Sequence, residues 1–155
     1  MEQIKQPYTL CLVHQHPRVL LGYKKRGFGA GRWNGFGGKV KDGETIEEAA
    51  RREILEEAGI RVNGIQEIGN LEFEFQKEPG FIHEVHVFKS DGFEGDLIET
   101  EEMKPKWFHI DEVPFSYMWP DDKYWFPLFL GGKSFSGRFL FGEDDKILDW
   151  KLKEI

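Results

Sequence analysis

The chain has 155 residues, the length of one ordinary domain, and we predict a single domain over residues 1–155. Its hydrophobic content of 39% is enough for a packed core, which excludes a globally disordered chain. The formal net charge of -7 argues against non-specific binding to nucleic acid, because such binding depends on neutralising phosphates with lysine and arginine.

Cysteine content and hydropathy bear on the cellular setting. Cys11 is the only cysteine, which excludes an intrachain disulfide and is typical of a reducing compartment. We interpret it as a small buried hydrophobic residue rather than a nucleophile. The N-terminus lacks the pattern of a signal peptide, and no stretch resembles a transmembrane helix. We therefore expect a cytoplasmic protein without a membrane partner, with mitochondrial and nuclear forms left open.

The first elements in chain order are two strands and a loop. Residues 8–13 form a short apolar run that predicts a buried strand, and residues 18–23 predict its hairpin partner. Residues 27–38 contain six glycines, a density that no regular element tolerates. We predict a loop there whose backbone closely approaches another group.

A helix with clear ends follows this loop, and we predict it over residues 45–58. Thr45 and Glu48 form a capping-box pattern, which marks the beginning of the helix. Gly59 is suited to the residue that ends it. Three apolar residues recur at helical spacing and are expected to face the core: Ala50, Ile54 and Ala58.

The second half of the chain is rich in predicted strands. Apolar and polar residues alternate over residues 65–76 and 81–89, which predicts two strands, and residues 90–96 predict a polar turn. The remaining predictions are a strand at 105–110, a helix at 124–130, and a closing hairpin of strands at 135–141 and 147–152. Strands interrupted by two helices predict an α+β domain, layered as an α/β/α sandwich with a mixed sheet between helices.

The predicted helix carries three glutamates on one face. Glu53, Glu56 and Glu57 stand at positions i, i+3 and i+4, beside the apolar stripe. Most acidic runs are simply solvated faces, but here the glycine-rich loop can bring a backbone carbonyl beside the carboxylates. We interpret the face as an all-oxygen site for Mg²⁺, with Mn²⁺ as a substitute.

Two residues near this face have structural interpretations. Arg52 is suited either to an ion pair with Glu56 at i,i+4, or to holding the loop and orienting a ligand carboxylate. Glu44 lies outside the acidic face and is expected to be structural.

This stretch resembles the Nudix box, whose positions are filled here by Gly38, Glu44, Arg52, Glu53, Ile54, Glu56, Glu57, Gly59 and Ile60. The resemblance implies an α/β/α sandwich and Mg²⁺-dependent hydrolysis of a nucleoside diphosphate linked to another group. It also implies that Gly37 supplies a carbonyl ligand and that the three helix glutamates bind the metal ion.

Catalytic roles are implied by the same resemblance. Glu57 is the implied general base for the attacking water, and Glu53 also belongs to the implied catalytic set. Glu102, from a separate loop, is implied as a further ligand or base, and Glu101 is close enough to compete for that role.

Segments outside the box resemble one branch of the Nudix family, most clearly residues 31–39 (GRWNGFGGK) and 119–122 (WPDD). That branch hydrolyses oxidised purine nucleoside triphosphates, such as 8-oxo-dGTP and 2-hydroxy-dATP, to the monophosphate and pyrophosphate. The resemblance implies this activity, a nucleotide as the partner, alkylated purine nucleotides as secondary substrates, and a monomer. The alternatives are another Nudix substrate, such as a dinucleoside polyphosphate or ADP-ribose, and a non-catalytic nucleotide-binding module.

The residue types in these segments suit a purine pocket. Asn34 offers both a donor and an acceptor to a base edge. If Asp121 and Asp122 approach one base, burial and mutual repulsion should raise at least one pKa. Exchange of one proton would then let the pair bind two different purine edges. Three aromatic residues are expected to stack on or wall the base, with a core position as the alternative for each: Phe28, Phe73 and Trp119.

Further residues complete the predicted substrate site. Thr9 and Lys24 are candidates for contacts to the sugar or phosphates. The remaining candidates are Phe36, Gly37, Gly38, Lys39 and Pro120. His83 stands where a more apolar pocket residue is expected, which leaves fine substrate preference open. We do not interpret His83 and His86 as a zinc site, because residues i and i+3 of a strand point to opposite faces.

Overall fold

Residues 2–155 are described by the structure, a computed structural model in which a mixed sheet is covered by a helix on each face. The strands are β1 (Ile4–Gln15), β2 (Arg18–Lys24), β3 (Trp33–Asn34), β4 (Arg61–Val62), β5 (Gln66–Phe75), β6 (Phe81–Ser90), β7 (Phe93–Glu94), β8 (Met103–His109), β9 (Phe135–Phe141) and β10 (Ile147–Glu154). The α-helices are α1 (Ile46–Ala58) and α2 (Asp122–Leu130), and short 3-10 segments lie at Ile110–Glu112, Phe115–Tyr117 and Glu143–Asp145.

The main sheet has the strand order β10-β9-β5-β6-β1-β2-β3, and β8 pairs with β2. The β1–β6 and β5–β9 pairs are parallel, whereas the other pairs in this sheet are antiparallel. Strands β4 and β7 form a small separate sheet. The predicted mixed sheet is therefore confirmed, together with the hairpins β1–β2 and β9–β10.

Strand β1 divides the core into two layers because its successive side chains point to opposite faces. Leu10 and Leu12 pack with residues of α2, whereas Cys11 and Val13 pack with residues of α1. A strand buried on both faces reads as a continuous apolar run, which explains the sequence of residues 8–13. This arrangement confirms the α/β/α layering.

Helix α1 begins and ends where the sequence predicts. The Thr45 hydroxyl accepts a hydrogen bond from the Glu48 N–H at 3.1 Å, and the Glu48 carboxylate accepts one from the Thr45 N–H at 2.9 Å. Gly59 ends the helix with a φ of 76°, and its N–H donates to the Leu55 carbonyl at 3.0 Å. The three apolar residues of the stripe are fully buried: Ala50, Ile54 and Ala58.

Three short strands, β3, β4 and β7, were not predicted, and several element boundaries differ from the sequence predictions. The glycine-rich loop contains β3, which pairs with β2, and the predicted turn at residues 90–96 contains β7, which pairs with β4. Both strands depend on partners distant in sequence, so local patterns do not reveal them. Strand β1 begins at Ile4 because parallel pairing with β6 adds polar residues, and α2 begins at Asp122.

The structure contains no candidate for a membrane-spanning helix between residues 2 and 155, since neither α-helix is long and apolar enough.

Candidate active site

A cavity of about 390 Å³ lies between the sheet and the beginning of α2, and it extends to the glycine-rich loop and α1. Its size is in the range of small-molecule sites. Most of the predicted substrate residues line it, namely Thr9, Lys24, Phe28, Asn34, Gly37, Gly38, Lys39, Phe73, Trp119, Asp121 and Asp122. Residues from distant parts of the chain thus meet in one concave site.

Aromatic rings form the wall at one end of the cavity. Phe28, at the tip of the loop, lies 5.3 Å from Trp119 and 5.7 Å from Phe75 between ring centroids. Gly29 has a φ of 84°, and a side chain there would lie 3.2 Å from the Trp119 indole nitrogen. The loop backbone therefore packs directly on Trp119 and places Phe28, which is 60% exposed, at the cavity mouth.

Arg32 also packs against the indole ring of Trp119. The Arg32 guanidinium carbon lies 4.2 Å from the centroid of the indole ring, and Arg32 forms an ion pair with Asp145 at 2.8 Å. A guanidinium over an indole face is attracted by the ring quadrupole. The sequence gives no signal for this contact, because Asp145 is distant from Arg32 along the chain.

Asp121 and Asp122 form a buried acid pair at the same end, each 2% exposed. The Trp125 indole N–H donates to Asp121 Oδ2 at 2.7 Å. Asp121 Oδ1 and Asp122 Oδ2 have no hydrogen-bond partner among residues 2–155. Both oxygens are fully buried, and buried polar atoms in native proteins are nearly always paired, so the two carboxyls are suited to share a proton with each other.

Burial also shifts the protonation of this pair. It raises the pKa of Asp121 to about 6, while the hydrogen bond from Trp125 and the charge of Arg32 act in the opposite direction. Burial, followed by repulsion from ionised Asp121, raises the pKa of Asp122 well above its usual value. Near neutral pH the pair therefore keeps a proton, with Asp122 the more strongly protonated member.

The opposite end of the cavity is formed by α1 and the loop that precedes it. The Gly37 N–H donates to Glu57 Oε1 at 2.9 Å. A side chain at Gly37 would lie 1.8 Å from the Thr9 carbonyl oxygen, and one at Gly38 would lie 2.6 Å from Glu53 Oε1. Only glycines let the loop fit between β1 and the acidic face of α1.

Glu57 is the buried member of this acidic face, with 5% exposure. Burial raises the pKa of its carboxyl group to about 8, and repulsion from Glu53 adds to the shift. The Gly37 hydrogen bond and the charge of Lys24 partly oppose it. A cation bound beside Glu57 would instead favour the ionised form of its carboxyl group.

Arg52 forms an ion pair with Glu56 and also contacts the loop before α1, the two arrangements that its position in the sequence suggested. Its guanidinium lies 2.6 Å from a Glu44 oxygen and 3.4 Å from a Glu56 oxygen, and it donates to the Lys39 carbonyl at 3.3 Å. It also contacts Glu53 at 2.8 Å. Arg52 therefore fastens the loop to the helix, and Glu44 serves this structural network.

The acidic face of α1 offers few protein ligands to a divalent cation. Within residues 2–155, no three acidic, histidine or cysteine side chains lie close enough to hold a metal ion by themselves. Mg²⁺ in proteins usually has one or two carboxylate ligands together with waters and substrate phosphates. Glu53 and Glu57 fit that pattern, and the carbonyl of Gly37, the residue whose N–H contacts Glu57, accepts no backbone hydrogen bond from a described residue.

Two other predicted ligands point elsewhere. The Glu56 side chain is 55% exposed and pairs with Arg52, and the Glu102 side chain is 54% exposed and lies 3.7 Å from Arg26. Glu102 is still near enough for its charge to raise the Glu57 pKa, whereas Glu101 has no such effect. The structure brings neither Glu101 nor Glu102 into the cluster, and the choice of outer carboxylate between them stays a prediction.

Phe36 and Pro120 do not line the cavity. Phe36 pairs with Cys11 through a β-bridge, so its side chain points to the face opposite those of the cavity and is fully buried beside Met103. The expectation that Phe36 contacts substrate is not supported, because it belongs to the α1 core. Pro120 is half-buried beside the acid pair but forms no part of the wall.

Several cavity residues were not among the predicted site residues. They are Tyr8, Leu10, Gly29, Gly35, Phe75, His83, Val85, Met103, Trp125 and Phe141. For Trp125, its i,i+4 relation to Asp121 on a helix is a usable sequence signal, because a buried indole N–H needs an acceptor. The two glycines belong to the loop that was expected to approach another group closely, and His83 was noted beside the pocket. For most of the others, the sequence shows only that they are apolar.

Comparison with known proteins adds evidence from sequence. Residues 5–129 match the model of the NUDIX domain. The chain is 55% identical over 148 residues to a Mus musculus protein named oxidized purine nucleoside triphosphate hydrolase, with 96% of this chain and 94% of the relative covered. A Danio rerio protein of the same name is 57% identical over 147 residues, covering 95% of this chain and 94% of the relative.

A solved structure agrees with these matches. The MutT protein from Bacillus halodurans superposes with a TM-score of 0.85 at 31% sequence identity, covering 96% of this chain and 97% of that protein. The agreement therefore extends over nearly the whole chain.

Proposed function

Because the chain belongs to the Nudix family, we propose that it hydrolyses oxidised purine nucleoside triphosphates to the monophosphate and pyrophosphate. Such a reaction removes damaged precursors before a polymerase can incorporate them into DNA. One observation carries the proposal: a single cavity joins a buried acid pair at one end to Glu57 and the glycine-rich loop at the other. A base and a phosphate chain need such an elongated site with unlike ends.

The acid pair and Asn34 bind the base in this proposal. A protonated carboxyl donates a hydrogen bond and an ionised one accepts, so a pair that holds one proton offers both. Moving that proton between Asp121 and Asp122 lets the same site bind the different edges of 8-oxoguanine and 2-hydroxyadenine. Trp119, Phe28 and Phe73 provide the aromatic surface on which the base stacks.

The glutamate end binds the phosphates. Glu53 and Glu57, with the Gly37 carbonyl, would hold Mg²⁺ (or Mn²⁺), and Glu56 and Glu102 join them only if their side chains reorient. When bound, the cation would supply positive charge that stabilises the phosphates and activates the attacking water. Lys24 lines the cavity near Glu57 and offsets the charge that develops on the phosphates.

Glu57 is the proposed general base, because it is buried at the cavity and held by the Gly37 N–H. Water attacks one of the two phosphorus atoms of the anhydride between the α- and β-phosphates, in line with the leaving group, while Glu57 accepts its proton and the P–O bond of the anhydride breaks. Thr9 and Lys39, beside Gly37 and Gly38, border the path of the sugar and phosphates. Lys24 remains within reach of both the loop and the glutamate face.

The test is Mg²⁺-dependent product formation from a panel of nucleotides, with pyrophosphate measured for the triphosphates and the released mononucleotides measured for the other substrates. The panel holds 8-oxo-dGTP, 2-hydroxy-dATP, an alkylated purine triphosphate, normal dGTP and dATP, a dinucleoside polyphosphate and ADP-ribose. We expect the oxidised purines to have the highest kcat/KM, and Glu57→Gln to lower kcat by about 10²-fold or more while leaving the fold intact. Glu47→Gln, on the exposed face of α1, is the matched control.

Other outcomes would redirect the proposal. Preference for a dinucleoside polyphosphate or ADP-ribose would place the chain elsewhere in the family, and binding of nucleotides without Mg²⁺-dependent turnover would make it a binding module. We further propose one domain over residues 1–155, a monomer with no nucleic-acid partner, and a cytoplasmic location; the lone buried cysteine, Cys11, supports a reducing compartment.

A further inference from the structure

His83 lines the cavity but takes no part in the reaction proposed above. It lies on β6 at the centre of the sheet surface under the cavity, where its Cα pairs with that of Phe73 on β5. Its imidazole stacks on the Tyr8 ring of β1, with centroids 4.8 Å apart and planes 10° apart. The ring therefore forms part of the cavity floor.

Further rings fix the orientation of this imidazole. Phe75 and Phe81 meet it edge to face at 5.3 Å and 5.2 Å, and Phe28 approaches from the loop at 6.3 Å. A side chain packed on several sides loses little additional freedom when it forms a hydrogen bond to a ligand. His83 is thus pre-organised.

The nitrogens of His83 differ from those of its neighbour on the same strand. Both ring nitrogens of His86 are paired, one with Glu67 at 3.0 Å and one with Glu84 at 2.9 Å, on the opposite face of β6. No residue between 2 and 155 hydrogen-bonds to the His83 ring, and its nitrogens are not among the fully buried unpaired atoms. They remain accessible to a molecule in the cavity.

Burial favours the neutral form of the His83 ring. Burial lowers the pKa of His83, and the exposed carboxylate of Glu78, in the turn before β6, acts against that shift. The titratable group that faces it from β1 is Tyr8, while β5 and the glycine-rich loop present only phenyl rings. A neutral imidazole offers one donor and one acceptor nitrogen.

We propose that His83 is a specificity-determining residue whose ring nitrogen hydrogen-bonds to a polar atom of the purine on an edge not bound by Asp121 and Asp122. This role rests on the proposed function, since it requires a purine in the cavity. A carbonyl or amino group on that edge is favoured, and a purine carrying a methyl group there is disfavoured. A hydrogen-bonding site rejects an analogue that leaves its polar atoms unpaired.

His83→Phe tests the proposal, because it keeps a flat ring against Tyr8 and removes the nitrogens. We expect KM for the preferred oxidised purine triphosphate to rise about three- to tenfold, the usual effect of one neutral hydrogen bond, with kcat little changed. The KM for a methylated purine triphosphate should change less. The ratio of the KM for the methylated substrate to the KM for the oxidised substrate should therefore fall. His83→Gln, which keeps a polar side chain, should restore part of the wild-type KM ratio. His86→Gln is the matched control and should leave that ratio unchanged.

A metal-free measurement separates this proposal from the reaction. The ring-nitrogen resonances of His83 should shift when the oxidised purine nucleoside monophosphate is added without Mg²⁺, whereas those of His86 should not. Unmoved His83 resonances despite binding, or equal affinity in His83→Phe and wild type, would overturn the role of His83 alone. A wild-type protein that neither binds nor hydrolyses any purine nucleotide would overturn both proposals.

Discussion

Single residues decide how the base end of the cavity responds to pH, and Asp122 is the most consequential. The unfolded chain ionises this carboxyl near its ordinary pKa, whereas burial and Asp121 keep it protonated in the fold. Between those two pKa values the folded state holds a proton that the unfolded state has released. Stability from this residue is therefore greatest at low pH and declines as pH rises.

Asp122→Asn should remove that decline, because an amide stays neutral. We expect the variant to match wild type near pH 4 and to gain stability above it, on the order of 1–3 kcal/mol by pH 8. Thermal unfolding measured from pH 4 to pH 8 tests this. Asp149→Asn, which alters an exposed pair with Arg138, should show no gain in stability over wild type as pH rises. If the stability curves of wild type and Asp122→Asn ran parallel over this pH range, Asp122 would not be the group that holds the proton.

At the scale of elements, the loop before α1 is locked by contacts that leave no room for a side chain. A Cβ at Gly37 would lie 1.8 Å from the Thr9 carbonyl oxygen, so the backbone must move in Gly37→Ala. That movement displaces the N–H that holds Glu57. A displacement of about 1 Å at a reacting group can cost about 10²-fold in rate.

We therefore expect Gly37→Ala to lower kcat by about 10–100-fold and to destabilise the fold by about 1–3 kcal/mol. Gly64→Ala is a matched control, since nothing lies within 4 Å of its added Cβ. Steady-state kinetics and thermal unfolding of both variants give the answer. Unchanged kcat in Gly37→Ala would show that the loop position does not govern Glu57.

The elements also show what sequence can and cannot predict. Helix α1 was predictable because its capping box, C-cap glycine and apolar stripe are all local signals. The orientation of Phe36 was not, since it depends on a β-bridge to Cys11. Trp119 could be assigned to the cavity from motif resemblance, but the contact with Arg32 that holds it depends on Asp145, far along the chain.

At the scale of the whole molecule, repulsion within the acidic face of α1 lowers the stability of the folded state, and a bound divalent cation can offset this repulsion. Glu53 and Glu57 repel each other, and a divalent cation bound between them would stabilise the folded state over the unfolded one. We expect the Tm to rise with Mg²⁺ concentration and to return when the ion is chelated. In Glu53→Gln the rise should shrink markedly; a Tm insensitive to Mg²⁺ in wild type would contradict this site.

The ion pair between Arg32 and Asp145 shows that the residues supporting the cavity extend beyond the part of the chain that matches the NUDIX domain. The NUDIX match ends at residue 129, yet Asp145 holds the arginine that stacks on Trp119, and Phe141 lines the cavity. The closing hairpin therefore helps to build the cavity. A chain ending at residue 129 would also lack Phe135, Phe139 and Phe141, which are buried in the core, so we expect it to lose the fold as well as this part of the cavity.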